Sequence, residues 1–264
     1  MTAQSDWPGP PVHVIGMGMD VGTLGRSAQA ALVKAELIIG AATHLAAFPE
    51  LATEKRPYPS PMSGLWDLLR ANASRRIALL ASGDPLFFGI SSTLLRYLSP
   101  EHLAFHPNVS SIQAAFARLG RPWQQAQWVS LHGRPLASLR ATLHSNRLYA
   151  LLTDRASSPV AIARVLVETG FDQSDLWVAE ELGTANERFR RFSAAELANT
   201  DTEFSPLNVV ILETRGSGGV LPEFPGIPDE RFSTGAEPGK GLLSKREVRL
   251  AILSLLAPRA GEQG

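Results

Sequence analysis

The stretch LLASGDPLFFG, residues 79–89, organises the interpretation of this sequence. Apolar residues at 77–80 predict a short buried strand, and the polar residues that follow end it abruptly. Gly83 lets the backbone approach a ligand closely, and Pro85 restricts Asp84 to an extended conformation. Ligands bind at the carboxyl ends of strands in open α/β sheets. The stretch therefore marks either a binding loop or an ordinary turn, because Gly-Asp-Pro is also a common turn sequence.

A second glycine turn follows the first predicted strand. Residues 12–16 predict a strand, residues 16–20 (GMGMD) a turn and residues 24–35 a helix, a layout typical of a nucleotide or cofactor site. Val21 replaces the third glycine of the dinucleotide fingerprint, and no acidic residue ends the next strand, 36–40. The pattern therefore disfavours a dinucleotide and favours a tight turn against another ligand.

Composition excludes several classes of function. The chain has 264 residues, 44% of them hydrophobic, and its 25 basic and 25 acidic residues give a net charge of zero. This balance disfavours a strongly basic nucleic-acid binder. The absence of cysteine excludes disulfides and thiolate chemistry, and the six scattered histidines predict no metal site. With no signal-like or membrane-spanning apolar run, we expect a soluble cytoplasmic protein.

Strands and helices alternate along most of the chain, which predicts an α/β fold. Residues 56–61 (RPYPSP) predict a loop because of their prolines. Asn208 lies within a strongly apolar strand, where its amide needs hydrogen-bond partners, one of which could be a ligand. The predicted strands are 77–81, 103–106, 128–131, 148–153, 176–180, 187–192 and 207–212; the predicted helices are 65–72, 91–98, 112–119, 136–145 and 159–170.

Beyond residue 214 the composition changes. Residues 215–238 are rich in glycine and proline and predict a linker. Ser244 and Glu247 form a capping-box pattern ahead of a predicted amphipathic helix at 245–256. A helix after a linker indicates the first element of a further domain.

Six short motifs follow one another along the chain. They are VIGMG at 14–18, SGDPLFFG at 82–89, PNVSS at 107–111, LLTD at 151–154, EELGTANER at 180–188 and PLNVVI at 206–211. Together they resemble the tetrapyrrole methylases, and within that family the C5-methylating half of the cobalamin-pathway precorrin-6Y C5,15-methyltransferases. The tail resembles the entry to the second methyltransferase half of such fused enzymes. Many family members have proline where this chain has Met19, whose backbone could play the same role.

The resemblance implies two α/β domains with the active site in the cleft between them. The expected division is an N-terminal α/β domain at 10–108, a C-terminal α/β domain at 109–214, and a linker and terminal helix at 215–264. The implied activity is C5-methylation of a precorrin with S-adenosyl-L-methionine as cofactor. The implied assembly is a homodimer, with a second methyltransferase/decarboxylase half as a further partner.

The resemblance also implies the site residues. The expected cofactor-binding residues are Met19, Gly83, Asp84, Phe87, Ser110, Ser111, Leu152, Thr153, Leu207 and Asn208. A tetrapyrrole carries many carboxylates, which arginine pairs with in a bidentate way. Arginines near predicted loop or strand ends are Arg134, Arg155, Arg188 and Arg190; the substrate-binding residues we select are Arg155, Glu187 and Arg188, and Asp84 is a second polar candidate. No catalytic base is identified.

Several of these residues also have a plain structural explanation. Ser110 and Ser111 suit the cap of a helix, and a surface position explains Glu187 or any single arginine. Two rival functions stay open. One is a family member with a different substrate, such as another ring, a modified protein or ribosomal RNA. The other is a non-catalytic domain that binds cofactor or substrate for a second polypeptide.

Overall fold

A computed structural model of the chain describes residues 7–216, 218–219 and 244–256. The first of its two five-stranded sheets is entirely parallel, in the order β3-β2-β4-β1-β5. The strands are β1 (Val12–Gly16), β2 (Leu37–Gly40), β3 (Glu54–Pro57), β4 (Ile77–Ala81) and β5 (Leu103–His106). Because β1 and β4 are neighbours and parallel, the two glycine-containing loops emerge side by side at one edge.

Helices cover both faces of this first sheet, as its continuous apolar strands predict. They are α1 (Arg26–Lys34), α2 (Ala42–Ala46), α3 (Leu65–Ala71) and α4 (Ser91–Leu94). Leu32 of α1 packs with Ile15 and Leu80 on one face. Leu69 of α3 and Leu94 of α4 lie in a separate buried cluster on the other face.

The second sheet is mixed, in the order β6-β7-β10-β8-β9. Its strands are β6 (Gln127–Ser130), β7 (Leu148–Leu152), β8 (Asp175–Glu180), β9 (Arg188–Ser193) and β10 (Asn208–Glu213). β10 runs antiparallel to both β7 and β8. The start of β10 therefore meets the carboxyl ends of its two neighbours.

The two faces of the second sheet have different partners. One face packs against α6 (Leu139–Thr142), α7 (Pro159–Glu168) and α8 (Ala194–Ala198). The other packs against α5 (Ser111–Leu119), whose Ile112 and Phe116 lie in one cluster with Val209 and Ile211 of β10. Although α5 follows a strand of the first sheet, its apolar face belongs to the core of the second.

The structure corrects several predictions of secondary structure. Residues 56–57, predicted as loop, belong to β3, an edge strand that pairs with β2. An edge strand needs hydrogen bonds on one side alone, so it tolerates a terminal proline. The helix predicted at 91–98 ends at Leu94, and the helix predicted at 136–145 is reduced to α6 (Leu139–Thr142) after a short 3-10 turn. In addition, α8 follows β9 where no helix was expected.

The predicted terminal helix is present as α9 (Arg246–Leu256), and none of its residues is buried. Most of the predicted linker lies outside the described residues. Within the part of the chain that the structure describes, no helix has the length and apolar character to cross a bilayer.

Candidate active site

The loops after β1 and β4 are joined by backbone hydrogen bonds. The Met17 N–H donates to the Ala81 carbonyl at 2.8 Å, and the Gly18 N–H donates to the Gly83 carbonyl at 3.1 Å. Both Gly18 and Gly83 have left-handed backbones, with φ of +60° and +57°. The loops therefore form one surface of peptide groups at the carboxyl edge of the sheet.

Asn108, after β5, fastens a third loop to this surface. Its Nδ2 donates to the Gly16 carbonyl at 3.0 Å and to Thr23 Oγ1 at 3.2 Å. A Cβ atom at Gly16 would lie 2.5 Å from the Gly83 carbonyl oxygen, so a side chain at Gly16 would push the loops apart. Asn108 was missed in the sequence because both partners are more than 80 residues away.

The N-terminus of α5 faces the β4 loop. Ser110 caps the helix: its N–H donates to Gln113 Oε1 at 2.8 Å, and its Oγ accepts from the Gln113 N–H. A Cβ atom at Gly83 would lie 3.3 Å from Ser110 Cα and 3.8 Å from the Ser111 nitrogen. Gly83 thus keeps the positive end of the helix close to the loop. Ser110 caps the helix as its residue type predicts, and a neighbouring loop also converges on it.

Asp84 and Phe87 have distinct places in the β4 loop. Asp84 Oδ1 accepts a hydrogen bond from the Leu86 N–H at 2.8 Å, so this carboxylate shapes its own turn. Phe87 instead contacts the second sheet: the centre of its ring lies 5.1 Å from that of Trp128 on β6. Phe87 is therefore a contact between the two sheets.

Two polar groups lie beneath the β4 loop. Tyr58 donates its hydroxyl hydrogen to the Leu80 carbonyl at 2.9 Å, and burial raises the pKa of that hydroxyl. His44 Nε2 lies 3.4 Å from Ser82 Oγ, and burial lowers the pKa of the imidazole. These contacts fix the end of β4 just before Gly83.

The facing edge of the second sheet brings Thr153 and Asn208 together. Thr153 Oγ1 lies 2.8 Å from both the carbonyl oxygen and Oδ1 of Asn208. Asn208 Nδ2 donates to the Ser205 carbonyl at 2.7 Å. The protein itself thus supplies a partner to each end of the amide. Leu207, next to it, is 62% exposed.

The loops of the two sheets meet across a shared apolar cluster. Met19, Phe87 and Leu152 all pack against the buried cluster that contains Val209. A Cβ atom at Gly183, in the loop after β8, would lie 2.7 Å from the Met19 carbonyl oxygen. The structure therefore brings Met19 and Phe87 of the first sheet's loops together with Leu152 of the second sheet at one junction.

The three expected substrate residues differ in their surroundings. Glu187 accepts from Arg118 Nη2 at 3.0 Å, also accepts from Arg118 Nε, and accepts from the Gly183 N–H at 2.8 Å. These partners hold the pKa of the Glu187 carboxyl below its ordinary value, with the Arg118 hydrogen bonds the largest cause. The Arg155 side chain is exposed and makes no hydrogen bond or ion pair within the described part of the chain.

Arg188 borders an open pocket of about 430 Å³ between the loop after β8 and the segment before β10. Behind it lies Glu180, which is fully buried. Glu180 accepts from Arg190 Nη2 at 2.7 Å and from the Ser205 N–H at 2.9 Å, and Arg188 Nη2 is 3.9 Å away. Sequence reasoning missed Glu180, although a carboxylate at the end of an apolar strand is a usable signal.

A family model described as Tetrapyrrole (Corrin/Porphyrin) Methylases matches residues 11–198. The chain belongs to this tetrapyrrole methylase family. The resemblance of the six motifs is thereby confirmed, and so is the α/β fold expected from it.

Two relatives of the tetrapyrrole methylase type differ in length. The chain is 38% identical over 257 residues to a Sinorhizobium protein named Precorrin-6Y C(5,15)-methyltransferase [decarboxylating], covering 96% of this chain and 60% of that protein. It is 31% identical over 207 residues to the Salmonella typhimurium Cobalt-precorrin-7 C(5)-methyltransferase, covering 76% of this chain and 98% of that protein. The chain thus spans about three fifths of the longer relative and almost all of the shorter one.

Solved tetrapyrrole methylases share the fold. A precorrin-6Y methylase from Archaeoglobus fulgidus superposes with a TM-score of 0.60 at 20% identity, covering 78% of this chain and 98% of that one. A uroporphyrin-III C-methyltransferase from Thermus thermophilus, solved with S-adenosylhomocysteine, gives a TM-score of 0.60 at 21% identity, covering 77% and 92%. At these identities the likeness establishes the architecture alone.

Proposed function

We propose that this chain methylates C5 of a precorrin in cobalamin biosynthesis, using S-adenosyl-L-methionine. The observation that carries the proposal is the correspondence with a protein named for the C(5) step alone, of which the chain covers 98%. The longer relative's name adds C15 methylation and decarboxylation, and the chain spans 60% of its length. The proposal therefore covers the C5 step.

We place the cofactor at the junction of the two sheets. The close backbone approach at Gly83, with Ser110 and Ser111 behind it, supports binding of a polar ligand by peptide groups. The N-terminus of α5 would stabilise the cofactor's carboxylate. The residues assigned to this site are Met19, Gly83, Asp84, Phe87, Ser110, Ser111, Leu152, Thr153, Leu207 and Asn208.

We also divide the chain near residue 108, into an N-terminal unit at 10–108 and a C-terminal unit at 109–214. The support is the packing of α5 on the second sheet, which puts residues after 110 in the core of that unit. The junction then lies between the units, bordered by the loops after β1 and β4 on one side and by β7, β8 and β10 on the other.

Methyl transfer requires that the reactants are aligned and that water is excluded. Bound S-adenosyl-L-methionine supplies an electrophilic methyl group on a sulfonium. Transfer to carbon is an in-line displacement, so the protein has to hold the reacting carbon opposite the leaving sulfur and exclude water. The apolar side chains of Met19, Phe87 and Leu152 pack at the junction and would exclude water there. Such a reaction needs no covalent intermediate on the protein.

Two measurements test the proposal. Calorimetry with S-adenosylhomocysteine establishes whether the chain binds the cofactor. Incubation with S-adenosyl-L-methionine and a reduced corrinoid precursor, followed by mass spectrometry, should show a gain of one methyl group without loss of carbon dioxide. Tight cofactor binding with no methyl gain on any corrinoid precursor would contradict the proposed activity and favour a non-catalytic domain.

A further inference from the structure

We propose that the pocket beside Arg188 binds one carboxylate arm of the substrate and that Arg188 selects the acid over its neutral derivatives. The pocket, called the arm pocket below, is lined by Glu181, Ala185, Asn186, Glu187, Arg188 and Ser205. The inference depends on the proposed function for the identity of the substrate. The charge arrangement that supports it is independent of that function.

The cation of Arg188 is available to a ligand because another arginine neutralises Glu180. Arg190 Nη2 lies 2.7 Å from Glu180 Oε2, whereas Arg188 Nη2 lies 3.9 Å from Oε1. The Arg188 side chain is 57% exposed and makes no hydrogen bond within the described part of the chain. At 3.9 Å, Arg188 makes no hydrogen bond to Glu180, so its N–H donors stay free for a bidentate partner.

The two other carboxylates that line the arm pocket do not occupy Arg188. Arg118 and the Gly183 N–H bind both oxygens of Glu187. Glu181 accepts a hydrogen bond from Ser205 Oγ, another residue of the pocket lining. An entering acid group is thus attracted at Arg188 and repelled at Glu181, which favours one carboxylate over two.

Backbone strain shows that the pocket wall is held in place. Glu181 has φ of +51°, a left-handed conformation that costs energy for any residue with a Cβ atom. Two hydrogen bonds of 3.0 Å maintain it: the Glu181 N–H donates to the Leu207 carbonyl, and the Thr184 N–H donates to the Glu181 carbonyl. The loop is preformed, so little ordering is needed when a ligand binds.

The arm pocket adjoins the proposed cofactor site on two sides. Gly183, in the same loop, is in close contact with the Met19 backbone. The Ser205 carbonyl accepts from Asn208 Nδ2, and its N–H donates to Glu180. An acid arm held at Arg188 would leave the ring to which it is attached near the junction, where methyl transfer takes place.

The test compares two corrinoids on the full chain. Cobyrinic acid carries free carboxylates, and its heptamethyl ester has the same ring without the charges. Arg188→Gln should weaken binding of the acid about tenfold or more, because it removes at least one charge-assisted hydrogen bond. Binding of the ester should be unchanged. Arg188→Lys should recover part of the acid affinity because it retains the charge without the bidentate geometry.

Controls separate this inference from a folding defect. Arg140→Gln removes a surface arginine that pairs with Glu168, and should leave the affinities for both corrinoids unchanged. S-adenosylhomocysteine affinity should be the same in all three variants. An equal loss for acid and ester, or unchanged acid affinity in Arg188→Gln, would overturn the inference. A wild-type chain that binds the acid through Arg188 but transfers no methyl group would contradict the proposed function and leave the arm pocket intact.

Discussion

At the scale of single residues, Gly18 is constrained by both its backbone and its surroundings. Its φ is +60°, and a Cβ atom would lie 2.7 Å from Asn108 Cγ. Gly18→Ala should therefore lower the free energy of unfolding by about 2–4 kcal/mol, through left-handed strain and crowding together. Urea denaturation measures this. At Gly64, φ is −73° and a Cβ atom would make only ordinary van der Waals contact with Pro59, so Gly64→Ala should change the free energy of unfolding by less than about 0.5 kcal/mol. An equal effect of the two substitutions would contradict the explanation.

Ser110 offers a residue-scale test of the α5 cap. Ser110→Ala removes the Oγ that accepts from the Gln113 N–H, and should lower the free energy of unfolding by about 1 kcal/mol. Ser110→Thr keeps an acceptor and should recover most of the loss. Thermal denaturation of the two variants tests this explanation. If Ser110→Thr is no more stable than Ser110→Ala, lost packing and not the lost cap causes the destabilisation.

His13 and His106 make stability depend on pH. His13 Nδ1 and His106 Nε2 are 2.9 Å apart, a hydrogen bond that needs one nitrogen without a proton. Burial lowers the pKa of both imidazoles, and the charge of His13 lowers that of His106 further. The unfolded chain therefore binds more protons than the folded chain as the pH falls below 6.5. This contribution of the two histidines to stability should be fully present above that pH. It should decrease as the pH falls toward the lower pKa values that they have in the folded state.

Urea titrations between about pH 7 and pH 5 measure this loss. His106→Gln should make the slope shallower because one of the two lowered groups is gone. His132→Gln, at an exposed histidine, is the matched control and should keep the wild-type slope. A wild-type stability that rises on acidification over this range would contradict the sign.

The sequence identifies residues whose partners are close to them along the chain. Ser110 caps its helix through partners three positions away, and Gly83 ends a strand with a turn sequence. Asn108 and Glu180 escaped prediction because their partners are remote: Asn108 binds Gly16, and Glu180 binds Ser205 across the sheet. Spacing along the chain carries no record of such contacts.

At the scale of elements, the strands of the two sheets other than β3 were predicted within a residue or two, including the half-exposed β9. β4 is buried throughout and was predicted with its observed bounds. β3, with sequence EKRP, is half-exposed, and its strand character comes from pairing with β2. The strand orders of both sheets depend on tertiary packing, so propensity alone could not supply them.

The loop between β8 and β9 depends on α5. Glu187→Ala removes the acceptor for Arg118 and for the Gly183 N–H, so the loop should open more readily by about 1 kcal/mol. Hydrogen exchange of peptides spanning residues 181–187 should be faster. Glu168→Ala breaks an exposed pair with Arg140 elsewhere and should leave those peptides unchanged. Unchanged exchange in Glu187→Ala would show that the loop is held without the ion pair.

At the scale of the whole molecule, the described core ends before α9. The Gly219 N–H still donates to the Thr169 carbonyl at 3.0 Å, whereas α9 buries none of its residues. A chain ending at residue 219 should therefore keep its free energy of unfolding within about 0.5 kcal/mol and its affinity for S-adenosylhomocysteine. Urea denaturation and calorimetry measure both, and a loss above about 1 kcal/mol would mean that residues 220–264 belong to the folded core.

The reversed direction of β10 determines which segments can change the choice of substrate. Because β10 enters the second sheet from the side where β7 and β8 finish, the segment that precedes it reaches the arm pocket through Ser205. The residues that follow it emerge at the opposite edge. Insertions near Ser205 should therefore alter ligand preference, while extensions after residue 213 lengthen the protein at the edge opposite the proposed active site.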